Sequence, residues 1–225
     1  MAALRVGVML GGCGVFDGSE IHEAVAILIA LDKRGAQIVC IAPNVEQAGA
    51  VNHLTKQPDP RGPRNVLEES ARIARGAIRD AATVTAADLD AIVFPGGFGA
   101  ARNLSTFAAD GPACRVDAQV ERLLLEMHEA KKPIGLACIA PVIVARVLGK
   151  AGVRPKVTIG TDRGTADAIR SMNAEHVPTG EIGVCIDDAN RLVSTPCYMN
   201  QVGPWTVFQG AEKMVEEVLR MAGGR

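Results

Sequence analysis

Aromatic side chains are scarce in this chain, with one Trp, one Tyr and five Phe among 225 residues. Little is left to stack on bases, and 24 Lys and Arg against 25 Asp and Glu give a formal charge of −1 with no basic surplus. Both features speak against nucleic-acid binding. No apolar run approaches the roughly 20 residues that a membrane-spanning helix needs, so no membrane partner is expected. The amino terminus enters a strand pattern over 4–10 without a signal-peptide layout. The expected setting is cytoplasmic, or the mitochondrial matrix had a presequence been removed. The six cysteines contain no C-x-x-C pair, which argues against a zinc site or disulfide framework and for a reducing compartment. A phosphate-cradling G-x-x-x-x-G-K-[S/T] is missing too. The turns Gly12-Cys13-Gly14 and Gly97-Phe98-Gly99 each lack the third glycine of a dinucleotide fingerprint, so no cofactor is expected and no metal.

What is present is an alternation of short apolar runs with amphipathic segments, 48% of it hydrophobic. Strands are expected over 4–10, 37–42, 91–94, along the apolar run that Pro133 opens and Cys138 ends, and over 157–160, 182–186 and 192–195. Helices are expected over 21–34, 65–75, 116–130, from Pro141 through Leu148, over 165–172 and over 205–221. The stretch 44–64 is polar, contains prolines and is too long for an ordinary connection, so it reads as an excursion beside the functional face. Asp187-Asp188-Ala189-Asn190 breaks the last two strands as a hairpin. The whole predicts a single domain, 1–225, with a three-layer α/β/α sandwich and a mostly parallel sheet. In such sheets ligands lie beyond the carboxyl ends of the strands, an edge that here collects Gly12 to Asp17, Gly96 to Gly99 and Cys138.

Cys138 stands at the corner where the apolar run opened by Pro133 meets a helix opened by Pro141. A helix amino terminus offers free amides and positive potential, which predicts a thiolate and hence a nucleophile. The strict nucleophile elbow has glycine two residues to either side, where this chain has Leu136 and Ala140, and a small buried hydrophobe is the competing reading. Its proton carrier would come from the first helix. Glu20 reads as part of a cap and His22 as pointing elsewhere, whereas Glu23 sits in a segment that turns to Ala, Val, Ile and Leu. Burial there would raise its pKa into the range of acid–base work. Cys13 in the first glycine turn is either a ligand contact or a tight-turn thiol. Cys40 and Cys185 read as core, Cys114 and Cys197 as loop residues, His53 as a loop histidine and His128 as a helix-surface one.

The segments 11–23 (GGCGVFDGSEIHE), 51–55 (VNHLT), 64–67 (RNVL), 95–104 (PGGFGAARNL), 138–141 (CIAP) and 174–178 (AEHVP) resemble those of the ElbB family. That family is the isoprenoid-biosynthesis glyoxalase, or enhancing lycopene biosynthesis protein, in the ThiJ/PfpI group of class I glutamine amidotransferase-like proteins. The resemblance covers nearly the whole chain. It implies a flavodoxin-like sandwich, a homodimer, Cys138 as nucleophile, and Glu23, twelve residues before Gly35, as the glutamate that contacts it. It also implies an oxyanion site at the Gly96 and Gly97 amides, places His176 with a histidine kept near the cysteine in some relatives, and leaves Cys13 and Ile139 as candidate substrate contacts. Two departures matter. Ile139 follows the cysteine where peptidase-like relatives have His, and the late His-x-Glu pair of glutaminases is replaced by His176-Val177-Pro178. The expected activity is therefore a cofactor-independent glyoxalase acting on small 2-oxoaldehydes such as methylglyoxal or glyoxal. A thiol redox sensor or regulatory binding protein, or a hydrolase or deglycase of aldehyde adducts, are the alternatives.

Overall fold

A computed structural model describes residues 3–223. Its strands are β1 (Arg5–Met9), β2 (Gln37–Ala42), β3 (Val51–Asn52), β4 (Gln57–Pro58), β5 (Ile78–Asp80), β6 (Ala91–Phe94), β7 (Ile134–Ala137), β8 (Lys156–Val157), β9 (Glu175–His176), β10 (Cys185–Asp187) and β11 (Leu192–Thr195). The helices are α1 (Ile21–Lys33), α2 (Val66–Ile73), α3 (Phe98–Arg102), α4 (Phe107–Asp110), α5 (Ala118–Glu129), α6 (Pro141–Lys150), α7 (Arg163–Ser171) and α8 (Pro204–Met221). Seven strands form the central sheet in the order β10-β11-β7-β6-β1-β2-β5, parallel throughout except that β10 runs antiparallel to β11. The sandwich and the closing hairpin are thus as the residue pattern predicts.

The pleat sorts the core into two layers. Ala91 and Val93 face one side, with Ala24, Ile27 and Leu31 of α1 and Met214 and Val218 of α8. Ile92 and Phe94 face the other, with Leu123 and Met127 of α5 and Val144 and Leu148 of α6. Fully buried strands of this kind are continuous apolar runs, which is why β6 and β7 are legible from four residues each. Helix starts follow their caps. Asn65 accepts the Glu68 amide and Asp117 accepts those of Gln119 and Val120, which moves the α5 start past Val116.

Three differences from expectation have physical reasons. Ile78–Asp80 is an added edge strand, paired in parallel with β2. The excursion 44–64 carries the two-residue ribbon β3–β4, and Asp17 accepts the Val51 amide at 2.6 Å to tie it to the first turn. The segment expected as a strand over 157–160 pairs outside the central sheet, through Lys156 and Val157 with Glu175 and His176. Cys114 lies in a loop as expected and Cys197 opens a short 3-10 turn, and both are fully buried.

Gly149 marks the closest helix packing, since a Cβ there would overlap the Met172 carbonyl oxygen at the end of α7. Gly149→Ala is expected to destabilise the fold by about 3 kcal/mol, read as a lower urea midpoint with an unchanged slope.

Candidate active site

The site lies at the carboxyl edge of the sheet, where the ends of β6, β7 and β11 meet the amino end of α1. Cys138 follows β7 directly, with φ +57, and Pro141 takes the first position of α6. The Cys138 amide donates to the Thr195 carbonyl at 2.9 Å, so the corner is fixed to the end of the neighbouring strand. A left-handed conformation at a non-glycine residue carries about 1–3 kcal/mol of strain and aims the thiol away from the strand path.

Glu23 reaches the thiol from α1. Glu20 is the cap residue, its carboxylate accepting the Glu23 amide at 2.7 Å, while the Ser19 hydroxyl accepts from Gly11 instead. That cap turns Glu23 onto the buried face, where it is 0% exposed. Its Oε2 accepts the Gly96 amide at 2.9 Å, its Oε1 accepts the Tyr198 amide at 3.2 Å, and the Cys138 thiol lies beside it. Burial first, and the Glu20 charge second, push the Glu23 carboxyl up to about 8, against the pull of those donors.

The thiol does not follow the helix-end expectation. Burial and the Glu23 charge push Cys138 well above the usual thiol range, and the Gly97 and Ile139 amides pull it down only in part. At the resting site a protonated thiol faces a carboxyl group that can take its proton. The thiolate forms by transfer to Glu23, not by spontaneous ionisation.

The glycines divide their roles. The Gly96 amide is committed to Glu23, which makes it a positioning group and removes it from the oxyanion site that the resemblance implied. The two amides facing the sulfur are those of Gly97 and Ile139, so Ile139 enters the site through its backbone. Gly97, with φ +89, is held against the first glycine turn, where Glu20 donates to the Gly96 carbonyl at 2.9 Å and Gly99 donates to the Gly18 carbonyl at 2.7 Å. A Cβ on Gly96 would come within 2.8 Å of Glu23 Oε2 and 2.9 Å of Cys138 Sγ. Gly96→Ala is expected to lower stability by about 2 kcal/mol and to slow iodoacetamide labelling of Cys138, measured by peptide mass, because the two side chains must part.

Other expected residues lie elsewhere. His176 is buried, its Nε2 accepting the Ile159 amide at 3.3 Å, and it makes no hydrogen bond to Cys138 or Glu23. The charges around Cys13 are those of Glu69, Arg72 and Asp17, and burial, the first cause, raises its pKa. His22 is exposed, with Nδ1 2.7 Å from the Tyr198 hydroxyl. His53 stays on the excursion, its Nε2 accepting the Phe16 amide at 3.2 Å.

Sequence reasoning missed Tyr198 and Cys197. Tyr198 supplies an amide to Glu23, and Cys197, with φ +45, is a second buried thiol pushed up by burial and then by the Glu23 and Cys138 charges. The available signal was Leu192–Thr195, a strand whose carboxyl end lies beside β7 once the strand order is known. Among the described residues, no group of three or more His, Cys, Asp or Glu side chains is arranged to hold a metal ion.

No family model matches the chain. The human glutamine amidotransferase-like class 1 domain-containing protein 3, mitochondrial, is 47% identical over 230 residues, covering 98% of this chain and 84% of that protein. The rat mitochondrial ES1 protein homolog is 46% identical over 228 residues, covering 97% and 84%. The chain belongs to the ES1 family of class 1 glutamine amidotransferase-like proteins. A solved structure, the isoprenoid biosynthesis protein with amidotransferase-like domain from Ehrlichia chaffeensis, superposes with a TM-score of 0.89 at 36% identity, covering 96% of this chain and 99% of that one. The ElbB resemblance and the flavodoxin-like fold of the ThiJ/PfpI group stand with it. Glyoxalase III from Candida albicans shares the fold alone, with a TM-score of 0.61 at 16% identity over 97% of both chains. No helix among the described residues of this ES1 protein is long and apolar enough to cross a membrane.

Proposed function

We propose that this ES1 protein is a cofactor-independent glyoxalase that converts small 2-oxoaldehydes to 2-hydroxyacids. The observation that carries the reading is the pair itself, the Cys138 thiol and the Glu23 carboxyl packed together against Gly96, with burial pushing the carboxyl up to about 8 and the thiol well above its usual range. Sulfur adds to the aldehyde carbon of methylglyoxal as its proton passes to the ionised Glu23, which returns that proton to the carbonyl oxygen to give the hydroxyl of a hemithioacetal and a free carboxylate. The Gly97 and Ile139 amides are placed to stabilise developing negative charge near the sulfur. Removal of the aldehyde-derived C–H proton gives an enediol, and reprotonation at the neighbouring carbon gives a lactoyl thioester. Water then releases lactate and restores the thiol.

Size supports a small substrate, since Cys138 is 7% exposed, and the same figure disfavours bulky aldehyde adducts. The sensor alternative needs a thiolate at rest, and burial beside Glu23 works against one. The test is lactate formation from methylglyoxal in D2O without glutathione. Lactate carrying deuterium at C2 is expected, because the enediol is reprotonated by a carboxyl in exchange with solvent. A protein that makes no lactate ends the glyoxalase reading.

A further inference from the structure

Two backbone amides donate to Glu23, and they are held in place differently. Gly96 follows β6 in the middle of the sheet, and its carbonyl also accepts the Glu20 amide, so this residue is fixed to the start of α1 by both its peptide groups. Tyr198 belongs to the 3-10 turn Cys197–Asn200 beyond β11, and its amide reaches Glu23 Oε1 at the longer distance of 3.2 Å. That turn has no side-chain cap. It is bracketed by two left-handed residues that are not glycine, Cys197 with φ +45 and Gln201 with φ +47. Such conformations persist only where the surroundings hold them.

The Tyr198 side chain supplies part of that hold. Its hydroxyl lies 2.7 Å from His22 Nδ1, and the two ring centroids are 5.9 Å apart. The phenol donates to a bare Nδ1 or accepts from a protonated one, so either tautomer of His22 keeps the contact. His22 immediately precedes Glu23 on α1. One residue of the turn is thus tied through its backbone to Glu23 and through its side chain to the neighbour of Glu23, which closes a ring of covalent and hydrogen bonds.

We propose that His22 and Tyr198 are a positioning pair, whose side-chain hydrogen bond keeps the Tyr198 amide on Glu23 and so sets how readily that carboxyl takes up and returns the Cys138 proton. Both act through Glu23. Their part in aldehyde turnover rests on the glyoxalase reading, whereas their hold on the carboxyl does not. The ionisable groups that face Glu23 are Glu20 on α1, Cys138 after β7, and Cys197 and Tyr198 on the turn. Burial, then the Glu20 and Glu23 charges, push the Tyr198 phenol above its usual range, so removing it takes away no charge near pH 8. An amide donor favours the ionised carboxyl, and a loosened one lets the Glu23 pKa rise.

Tyr198→Phe removes the hydroxyl and keeps the ring and the amide. His22→Ala removes the other partner from an exposed position, and His22→Asn keeps a hydrogen-bonding atom near the place of Nδ1. The Glu23 carboxyl is followed by carbon-13 NMR on the glutamate-labelled protein, with its signal assigned by its loss in Glu23→Gln. The wild-type midpoint is expected at about 8, and that of Tyr198→Phe and of His22→Ala about half a unit higher. The double variant is expected to shift no further than either single one, because both lose the same contact, and His22→Asn to titrate as the wild type. Half a unit is about a threefold smaller ionised fraction below the midpoint, so lactate formation at about pH 7 falls about threefold with KM unchanged. Midpoints that stay in place in both single variants overturn the proposal, as do additive shifts in the double variant or a shift in His22→Asn as large as in His22→Ala. Shifted midpoints in a protein that forms no lactate uphold the pair and end the glyoxalase reading alone.

Discussion

Cys138→Ala is expected to reduce glutathione-independent lactate formation by about 10⁴-fold, a loss of the size seen when a covalent nucleophile is removed. The fold is expected to survive. The exchange removes one buried sulfur from a position only 7% exposed, and methyl-sized core deletions typically cost about 1 kcal/mol. The Cys138 amide bond to Thr195 is a backbone contact and remains. No other thiol stands in its place. Cys197 is buried nearby, yet it lies on the segment after β11, and its own pKa is raised by the same burial and by the charges of Glu23 and Cys138. Cys13 faces Glu69 and Arg72, so Cys13→Ala is expected to keep wild-type turnover. Steady-state kinetics of the two alanine variants, with thermal melts alongside, separate lost chemistry from lost structure. Turnover within a few-fold of wild type in Cys138→Ala removes the covalent route.

How much of this was readable beforehand differs residue by residue. The Cys138 corner was legible because Pro141 can only open a helix there and a buried parallel strand needs no alternation to be seen. Glu23 was legible as a carboxylate on an otherwise apolar helix face. Tyr198 was not, because its role follows from strand order, and β11 becomes the neighbour of β7 only when the chain crosses back over the sheet. Gly96 was placed in the right turn with the wrong partner. A Pro-Gly-Gly turn after a strand announces free amides but does not say that one of them is already taken by Glu23. The direction in which the Cys138 pKa moves was hidden for the same reason. The helix end that favours a thiolate is local in sequence, whereas the burial and the carboxylate that oppose it arrive from α1, more than a hundred residues earlier. His176 illustrates the converse. A motif match brought it to the cysteine, and the short pairing of β9 with β8 sets it against Ile159 and the arginines of α7 instead.

Glu23→Gln is expected to lower lactate formation by about 10²–10⁴-fold, the range associated with loss of a general base. Wild-type activity should rise with pH through about 8, because only the ionised carboxyl can accept the Cys138 proton, and the variant should lose that inflection. Stability provides a second readout that does not depend on substrate. The folded-state pKa of Glu23 is raised from 4.5 to about 8. Between those values the folded protein binds more protons than the unfolded chain, so the contribution of this group is fully present below about 4.5 and is lost as pH rises toward 8. A tenfold change in proton affinity corresponds to about 1.4 kcal/mol, so the wild type should weaken relative to Glu23→Gln by several kcal/mol between pH 5 and pH 9. The offset at pH 5 is expected to favour the wild type, because the glutamine amide nitrogen cannot accept from a backbone donor and leaves the Gly96 or the Tyr198 amide unpaired. Urea unfolding of both proteins at the two pH values measures the change. A stability gap that does not move with pH would mean that Glu23 is ionised throughout, and the expected rise of activity through about pH 8 would have no source in this group.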